Sequence, residues 1–217
     1  MKTDSIALTA RGKVICQDVA RHGRNYIIVA DGCSSSQHSE VGAMLLAMTA
    51  RYYLEQNYMP SFISFADAIM IRAIGIAENL GLKNSAMDAT LIIGYDDVEI
   101  FRVFVYGDGV VWNKVDEQLD LYHHETIGEI GGKVLSLPYY LSYRLDDRRH
   151  DDFFAANPVS FVNGKKVDFS KFNGYAFKKR GLVGISTDGI SAITDSSANK
   201  ITVEAALNKF VNFPMAE

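Results

Sequence analysis

The 217-residue sequence has little cysteine and no long uncharged apolar run. Its two cysteines, Cys16 and Cys33, are too few for a disulfide framework, so we expect small, partly buried thiols. Glycine or charge interrupts the apolar stretches well short of a membrane span, and no signal-peptide core follows the first residues. We therefore expect a cytoplasmic protein that does not enter a membrane.

The sequence also lacks an excess of positive charge. It has 22 Lys and Arg against 26 Asp and Glu, a net charge of −4, which argues against nucleic acid or an anionic membrane as the main partner. Hydrophobic residues make up 48% of the chain and charged residues 22%, as in ordinary globular proteins. We expect a single domain over residues 1–217.

Two distant apolar runs end in the same way, with an acidic residue and a glycine. Residues 26–32 read YIIVADG and residues 182–189 read LVGISTDG, so Asp31 and Asp188 each follow a predicted strand. An Asp-Gly pair alone is more often a turn than a ligand. Together, however, the oxygen-rich strand ends suit hard cations such as Mg²⁺ or Mn²⁺.

Further strand-like segments carry an acidic residue at one end. These are residues 12–18 (GKVICQD), 88–94 (DATLIIG) and 103–109 (VFVYGDG). The ordered set resembles the metal-dependent protein phosphatases of type 2C, in which an early Glu-Asp, a strand ending in Asp-Gly, a Gly-Asp-Ser and a late Asp-Gly follow one another. The resemblance covers roughly residues 12–195; no single motif is specific, but their order is.

The predicted fold class is α+β. Helical periodicity covers residues 41–55, 61–80 and 202–211, with Ser36 or Ser39 as the N-cap of the first helix. Residues 88–122 predict an antiparallel meander, and residues 174–187 a hairpin. No helix separates the strands of the meander, which excludes a doubly wound parallel sheet. The expected architecture is a four-layer α-β-β-α sandwich, with two antiparallel sheets flanked by helices.

The resemblance implies a site for two Mg²⁺ or Mn²⁺ ions. Asp31 would bridge both ions, the Gly32 carbonyl would bind one, and Asp188 would bind the other. Asp18 would hold coordinated water. The implied activity is hydrolysis of phosphoserine and phosphothreonine in a phosphorylated protein substrate by a metal-bound water.

Two further positions have competing interpretations. Lys13 replaces the family's phosphate-binding Arg and could hold phosphate as a point charge, but a solvated strand-edge lysine is about as plausible. Asp108 resembles the ligand of a third metal ion in bacterial members. It could equally be a turn residue, and the two interpretations are about equally plausible.

The sequence departs from the family pattern in several places. Gln17 replaces the Glu of the early Glu-Asp, and Cys33 stands where some members have a general-acid His. No Asp in residues 196–217 matches the final metal ligand. We expect one of three explanations: the chain is shortened at its C-terminus, its last strands are replaced by other structure, or its metal site is incomplete. Residues 138–173, with the charge run RLDDRRHDD, resemble the family's variable flap; we call them the flap-like segment.

These departures leave two alternatives to a serine/threonine phosphatase. One is an inactive phosphatase-fold module that binds or regulates a partner; the other is a two-metal phosphoesterase acting on a small molecule. Neither the physiological substrate nor the oligomeric state follows from the sequence. His123, His124 and His150 lack zinc-ligand spacing, so we expect them on the surface or in loops.

Overall fold

The computed structural model describes residues 3, 5, 16–56, 61–168, 172, 174–194, 197 and 199–211. Its strands are β1 (Asp18–His22), β2 (Tyr26–Gly32), β3 (Ala89–Asp97), β4 (Ile100–Tyr106), β5 (Gly109–Val115), β6 (Gln118–Ile130), β7 (Lys133–Ser136), β8 (Val159–Val162), β9 (Lys165–Val167), β10 (Tyr175–Lys178) and β11 (Leu182–Ser186). Its α-helices are α1 (Ser39–Glu55), α2 (Phe62–Asn79), α3 (Asp147–Ala155) and α4 (Val203–Val211). None of the described helices is long and apolar enough to cross a membrane.

The first sheet has the strand order β1-β2-β3-β4-β10 and is antiparallel throughout. Along β2, side chains alternate between buried and half-buried, as expected of a strand covered on both faces to different degrees. Ile28 and Ala30 pack with Leu46 of α1 and Phe65 of α2. The two helices therefore cover one face of this sheet.

The second sheet has the order β11-β5-β6-β8-β9, with β7 paired to β6. A core cluster that includes Ile92, Val103 and Val111 fills the space between the two sheets. On the outer face of the second sheet, Val110 packs with Leu207 of α4. The layers are therefore helix, sheet, sheet and helix, which confirms the predicted α+β sandwich.

Two sequence expectations about strand pairing are wrong. The hairpin β3–β4 lies in the first sheet and the hairpin β5–β6 in the second, so residues 88–122 do not form one meander. Strands β10 and β11 pair with β4 and β5, not with each other. Alternating hydrophobicity identifies strands without identifying their sheet. At Gly181 (φ 80°), a Cβ would lie 2.0 Å from the carbonyl oxygen of Lys114, so the missing side chain lets the chain cross beside β5.

The first helix begins differently from the prediction. The residue before α1 is His38, in the left-handed region (φ 61°), and no side chain caps the helix. The predicted cap Ser39 is buried, and its hydroxyl donates to the carbonyl oxygen of Cys33 at 2.8 Å. Ser39 therefore fastens the loop after β2 to the helix.

His124 is buried in the core, which contradicts its predicted surface position. It is 3% exposed, and its Nε2 lies 2.5 Å from the hydroxyl of Tyr175, a residue of the other sheet. Burial lowers the pKa of His124 to about 4, so the ring stays neutral near neutral pH. His123 and His124 are adjacent in β6, and nothing in the sequence shows which of the two side chains faces the core.

Candidate metal centre

The strand pairing of the first sheet brings Asp18 and Asp31 together. Asp18 is directly opposite Asp31 in the β1–β2 ladder, and the Gly32 amide donates to the Gln17 carbonyl at 3.1 Å. Gln17 and Gly32 are therefore a hydrogen-bonded pair of the antiparallel ladder, and Asp18 and Asp31 are a non-hydrogen-bonded pair. Opposite side chains approach each other most closely in non-hydrogen-bonded pairs. The sequence placed Asp18 at the end of a strand, whereas it begins the described part of β1.

The third carboxylate comes from the second sheet. Asp188 opens a short 3-10 helix just after β11. After burial, the negative charges of Asp18 and Asp188 are the largest causes of the raised pKa of Asp31, so both carboxyl groups lie close to it. The structure thus brings together three acidic residues that the sequence singled out, at a point where both sheets end.

The acidic side chains of Asp31, Asp108 and Asp188 line a cavity of about 240 Å³. The remaining lining residues are Gly32, Cys33, Ser34, Thr90, Ser136, Pro138 and Tyr140. No Lys, Arg or His occurs among the described residues that line it. Without a bound cation, the cavity therefore presents negative charge and neutral hydroxyl groups.

The crowding of carboxyl groups changes the acidity of Asp31. Burial, followed by the negative charges of Asp18 and Asp188, raises the pKa of Asp31 from its ordinary value of 3.8 to about 8. A proton held between like charges is a common sign of a site whose negative charge has no counter-ion. A divalent cation would offset the repulsion from Asp18 and Asp188, which is the second cause of the shift after burial.

The donor set fits Mg²⁺ or Mn²⁺. Three carboxyl groups and the Gly32 carbonyl are hard oxygen ligands of the kind these ions prefer. In the part of the chain that the structure describes, no three His, Cys, Asp or Glu side chains stand in the arrangement of a formed metal site. Instead, Asp31 is crowded by Asp18 and Asp188, whose negative charges raise its pKa after burial. A bound divalent cation would offset this repulsion.

Asp108 lies at the crossover between the sheets, between Gly107 and Gly109, whose φ values are 101° and 148°. It is 8% exposed; its Oδ1 accepts from the Thr126 amide at 3.2 Å and its Oδ2 from the Ser136 hydroxyl at 3.3 Å. Burial raises its pKa to about 7, although these hydrogen bonds oppose the shift. Its oxygens thus hold the local fold, and its role as a third-metal ligand stays a prediction.

The neighbours of Asp31 divide between the two faces of the sheet. A Cβ on Gly32 would lie 2.6 Å from the carbonyl oxygen of Ser39, so the helix side leaves room for glycine only. Gln17 also faces that side, because its Nε2 donates to the Ser39 hydroxyl at 2.9 Å. This amide nitrogen is therefore directed away from the cavity and does not replace the missing Glu. Lys13 lies outside the described residues.

Sequence reasoning gave no role to Asp88, which connects several parts of this region. It is 4% exposed, and its carboxylate accepts from Ser36 (2.7 Å), Ser142 (2.6 Å) and Arg149 (2.5 Å). Its carbonyl oxygen accepts from the Cys33 amide at 2.8 Å. An acidic residue directly before a strand whose first seven residues are buried was the available signal, since such a residue needs buried partners.

The fold and the carboxylate cavity define a two-sheet α+β protein with a candidate divalent-metal site. The family model of protein phosphatase 2C matches residues 9–215. The chain therefore belongs to the protein phosphatase 2C family. No curated protein sequence matches it.

Three solved structures are similar to this chain at low sequence identity. The catalytic domain of the serine/threonine phosphatase PstP, solved with two manganese ions, is 12% identical (96% of this chain, 88% of that chain, TM-score 0.44). PstP/Ppp from Mycobacterium tuberculosis is 11% identical (88% and 79%, TM-score 0.44). PppA, a regulatory component of the T6SS in Pseudomonas aeruginosa, is 15% identical (95% and 87%, TM-score 0.43).

Proposed function

We propose that the chain is a metal-dependent serine/threonine protein phosphatase that hydrolyses phosphoserine and phosphothreonine in protein substrates. The observation that carries the proposal is the convergence of Asp31 and Asp188, from the two sheets, at one cavity, with Asp18 directly opposite Asp31 in the β1–β2 ladder. Membership of the protein phosphatase 2C family supports the same reaction class.

In this proposal Asp31 and Asp188, with the Gly32 carbonyl, hold two Mg²⁺ or Mn²⁺ ions, and Asp18 orients water beside them. Bound at these oxygens, the ions supply positive charge for the phosphoryl group and lower the pKa of coordinated water. The chain itself supplies the rigid placement of the ligands, since strand pairing fixes Asp18 against Asp31. It also supplies a cavity whose uncharged wall leaves room for a phosphate ester.

A second candidate is an inactive phosphatase-fold module that binds or regulates a partner. The direction of the Gln17 amide favours it, because this side chain bonds Ser39 and does not serve the cavity. Such a module would keep the fold and lack tight metal binding. A two-metal phosphoesterase acting on a small molecule is a third outcome, which depends on the substrate alone.

The test is hydrolysis of a generic phosphate ester, a nucleotide and a phosphothreonine peptide, each with and without Mn²⁺. Asp31→Asn and Asp188→Asn serve as the test variants, and the exposed Asp152, on α3 and outside the cavity lining, provides the control variant Asp152→Asn. We expect metal-dependent peptide hydrolysis that both test variants lose and the control retains. Mn²⁺ titration by calorimetry should show binding to the wild type that weakens in the test variants.

Absence of both hydrolysis and Mn²⁺ binding in the wild type would contradict the enzyme and favour the binding module. Hydrolysis of the nucleotide with no hydrolysis of the peptide would favour the small-molecule phosphoesterase.

A further inference from the structure

The first part of the flap-like segment forms one wall of the carboxylate cavity. Ser136, just before it, and Pro138 and Tyr140 within it line the cavity opposite the loop that carries Cys33 and Ser34. Tyr140 is 9% exposed, and burial, followed by hydrogen bonding to the Cys33 thiol, raises the pKa of its hydroxyl. The phenol is therefore buried, and its hydroxyl lies near Cys33, which also lines the cavity.

The cavity offers few groups that can donate a hydrogen bond to a phosphoryl oxygen. The described lining residues include no basic side chain; their hydroxyl groups are those of Ser34, Thr90, Ser136 and Tyr140, and Ser136 already donates to Asp108 at 3.3 Å. The polar neighbour of the Tyr140 hydroxyl is the Cys33 thiol, a weak acceptor compared with a charged phosphoryl oxygen. Burial raises the pKa of Tyr140 far above its ordinary value, so the hydroxyl keeps its proton. It is thus a neutral donor beside an acidic site.

The position of Tyr140 depends on Asp88. Two residues after Tyr140, Ser142 is fully buried and donates to Asp88 Oδ1 at 2.6 Å. Arg149 of α3 donates to Asp88 Oδ2 at 2.5 Å while its guanidinium stacks over Tyr143. The carbonyl of Asp88 holds the Cys33 amide at 2.8 Å. Asp88 therefore holds both the flap-like segment, which carries Tyr140, and the loop that carries Cys33.

We propose that Tyr140 binds the phosphoryl group of the substrate by donating its hydroxyl proton to a phosphoryl oxygen, and that Asp88 is the positioning residue that holds Tyr140 at the cavity. Substrate entry exchanges the bond to Cys33 for a bond to the phosphate. This assignment rests on the proposed phosphatase function and adds a phosphate-binding group that the flap-like segment contributes.

The test of Tyr140 is the variant Tyr140→Phe, which removes one oxygen and keeps the ring. A donor that bonds the phosphoryl group equally in substrate and transition state affects KM and leaves kcat unchanged. We expect KM for a phosphothreonine peptide to rise about tenfold, the usual scale for a hydrogen bond to a charged group, and the inhibition constant of inorganic phosphate to rise equally. Tyr139→Phe is the matched control, because that hydroxyl contacts His150 and does not line the cavity.

The test of Asp88 is a double-mutant cycle. Asp88→Asn keeps the shape of the side chain but leaves the half-buried Arg149 without its ion pair, which endangers folding. Ser142→Ala is the milder second variant, since it removes only one of the bonds. We expect Ser142→Ala to raise KM about threefold in the wild type and to change it by less than about 1.5-fold in the Tyr140→Phe background, because neighbours that act together are not additive.

Failure of the inference differs from failure of the proposed function. Equal KM values for wild type and Tyr140→Phe would overturn the role of Tyr140 while the phosphatase stands. Additive effects of Ser142→Ala and Tyr140→Phe would overturn the positioning role of Asp88. If the wild type hydrolyses nothing, calorimetric titration of inorganic phosphate in Mn²⁺ decides: binding that weakens in Tyr140→Phe supports the inference, and binding equal in both proteins, or none, overturns it.

Discussion

Replacement of Asp31 by asparagine is expected to abolish metal-dependent hydrolysis and, at the same time, to stabilise the metal-free protein. The loss of activity, at least about a thousandfold, follows from removing the one carboxylate that lies between the other two. An amide carries no negative charge, so asparagine at this position would hold divalent cations more weakly than aspartate does.

The gain in stability follows from the raised pKa of Asp31. Its pKa is about 8 in the fold, against an ordinary value of 3.8 in the unfolded chain. Between these values the folded state holds a proton that the unfolded state has released, so the free energy of unfolding falls as pH rises. The contribution of this group is complete below pH 3.8 and is lost by about pH 8. Asparagine cannot ionise, so the free energy of unfolding of the variant does not fall with pH for this reason.

The measurement is urea unfolding of both proteins in EDTA at several pH values. The variant should be more stable by on the order of 2 kcal/mol at pH 8, and the difference should shrink toward pH 4. Both proteins keep Asp108, whose pKa of about 7 adds a smaller fall of the same sign. Asp152→Asn should match the wild type, since Asp152 is exposed.

Added Mn²⁺ should make the wild type more stable than the Asp31→Asn variant, because an ion that binds only the folded wild type stabilises it by mass action. A metal-free Asp31→Asn protein that is less stable than the wild type at pH 8 would contradict the crowding of carboxylates at this site.

The layered fold could be predicted because its elements carry strong local patterns. The run that ends in Asp31-Gly32 is β2, and the helical periodicity after Pro60 is α2, capped by Ser61 through the Ser64 amide at 3.3 Å. The pairing of β10 and β11 could not be predicted in this way. Both strands flank a tight turn at residues 179–181, as in a hairpin, but β10 pairs with β4 and β11 with β5, and Gly181 allows the close approach to Lys114 between them.

The site was predicted in part for a similar reason. Asp31 and Asp188 each follow a strand and precede a glycine, so their sequence pattern carries their position. Neither Asp88 nor Tyr140 stands in this pattern: Asp88 acts through hydrogen bonds to Ser142 and Arg149, 54 and 61 residues along the chain, which no local pattern predicts. Gln17 shows the limit of motif matching: its place beside Asp18 is that of the family's Glu, yet strand alternation turns it toward α1.

The substitution Gly42→Ala is expected to destabilise the protein by about 3 kcal/mol or more. Gly42 is buried in α1, and a Cβ there would lie 1.6 Å from the carbonyl oxygen of Ala86 and 3.1 Å from Cα of Met87. Both neighbours are backbone atoms of the short 3-10 helix Asn84–Met87, so no side chain can rotate aside. Overpacking against rigid backbone is at the costly end of small-to-large substitutions.

Gly75 of α2 provides the matched control, because a Cβ there would meet nothing within 4 Å. Gly75→Ala should stabilise the protein by about 0.5–1 kcal/mol, the ordinary gain of alanine over glycine inside a helix. Chemical unfolding of the two variants measures the contrast: the same added methyl group should move the midpoint in opposite directions. Equal effects would mean that α1 does not approach residues 84–87 closely.

The same contact links stability to the candidate metal centre. The 3-10 helix Asn84–Met87 leads directly into Asp88, whose carbonyl oxygen holds the Cys33 amide and whose carboxylate holds Ser142. If Gly42→Ala displaces this helix without unfolding the protein, we expect KM for a phosphothreonine peptide to rise in the surviving folded fraction, as in Ser142→Ala. Gly75→Ala should leave KM unchanged, since α2 at that point faces open space. The geometry of the cavity would then depend on glycine at position 42, because only glycine lets α1 approach the 3-10 helix that precedes Asp88.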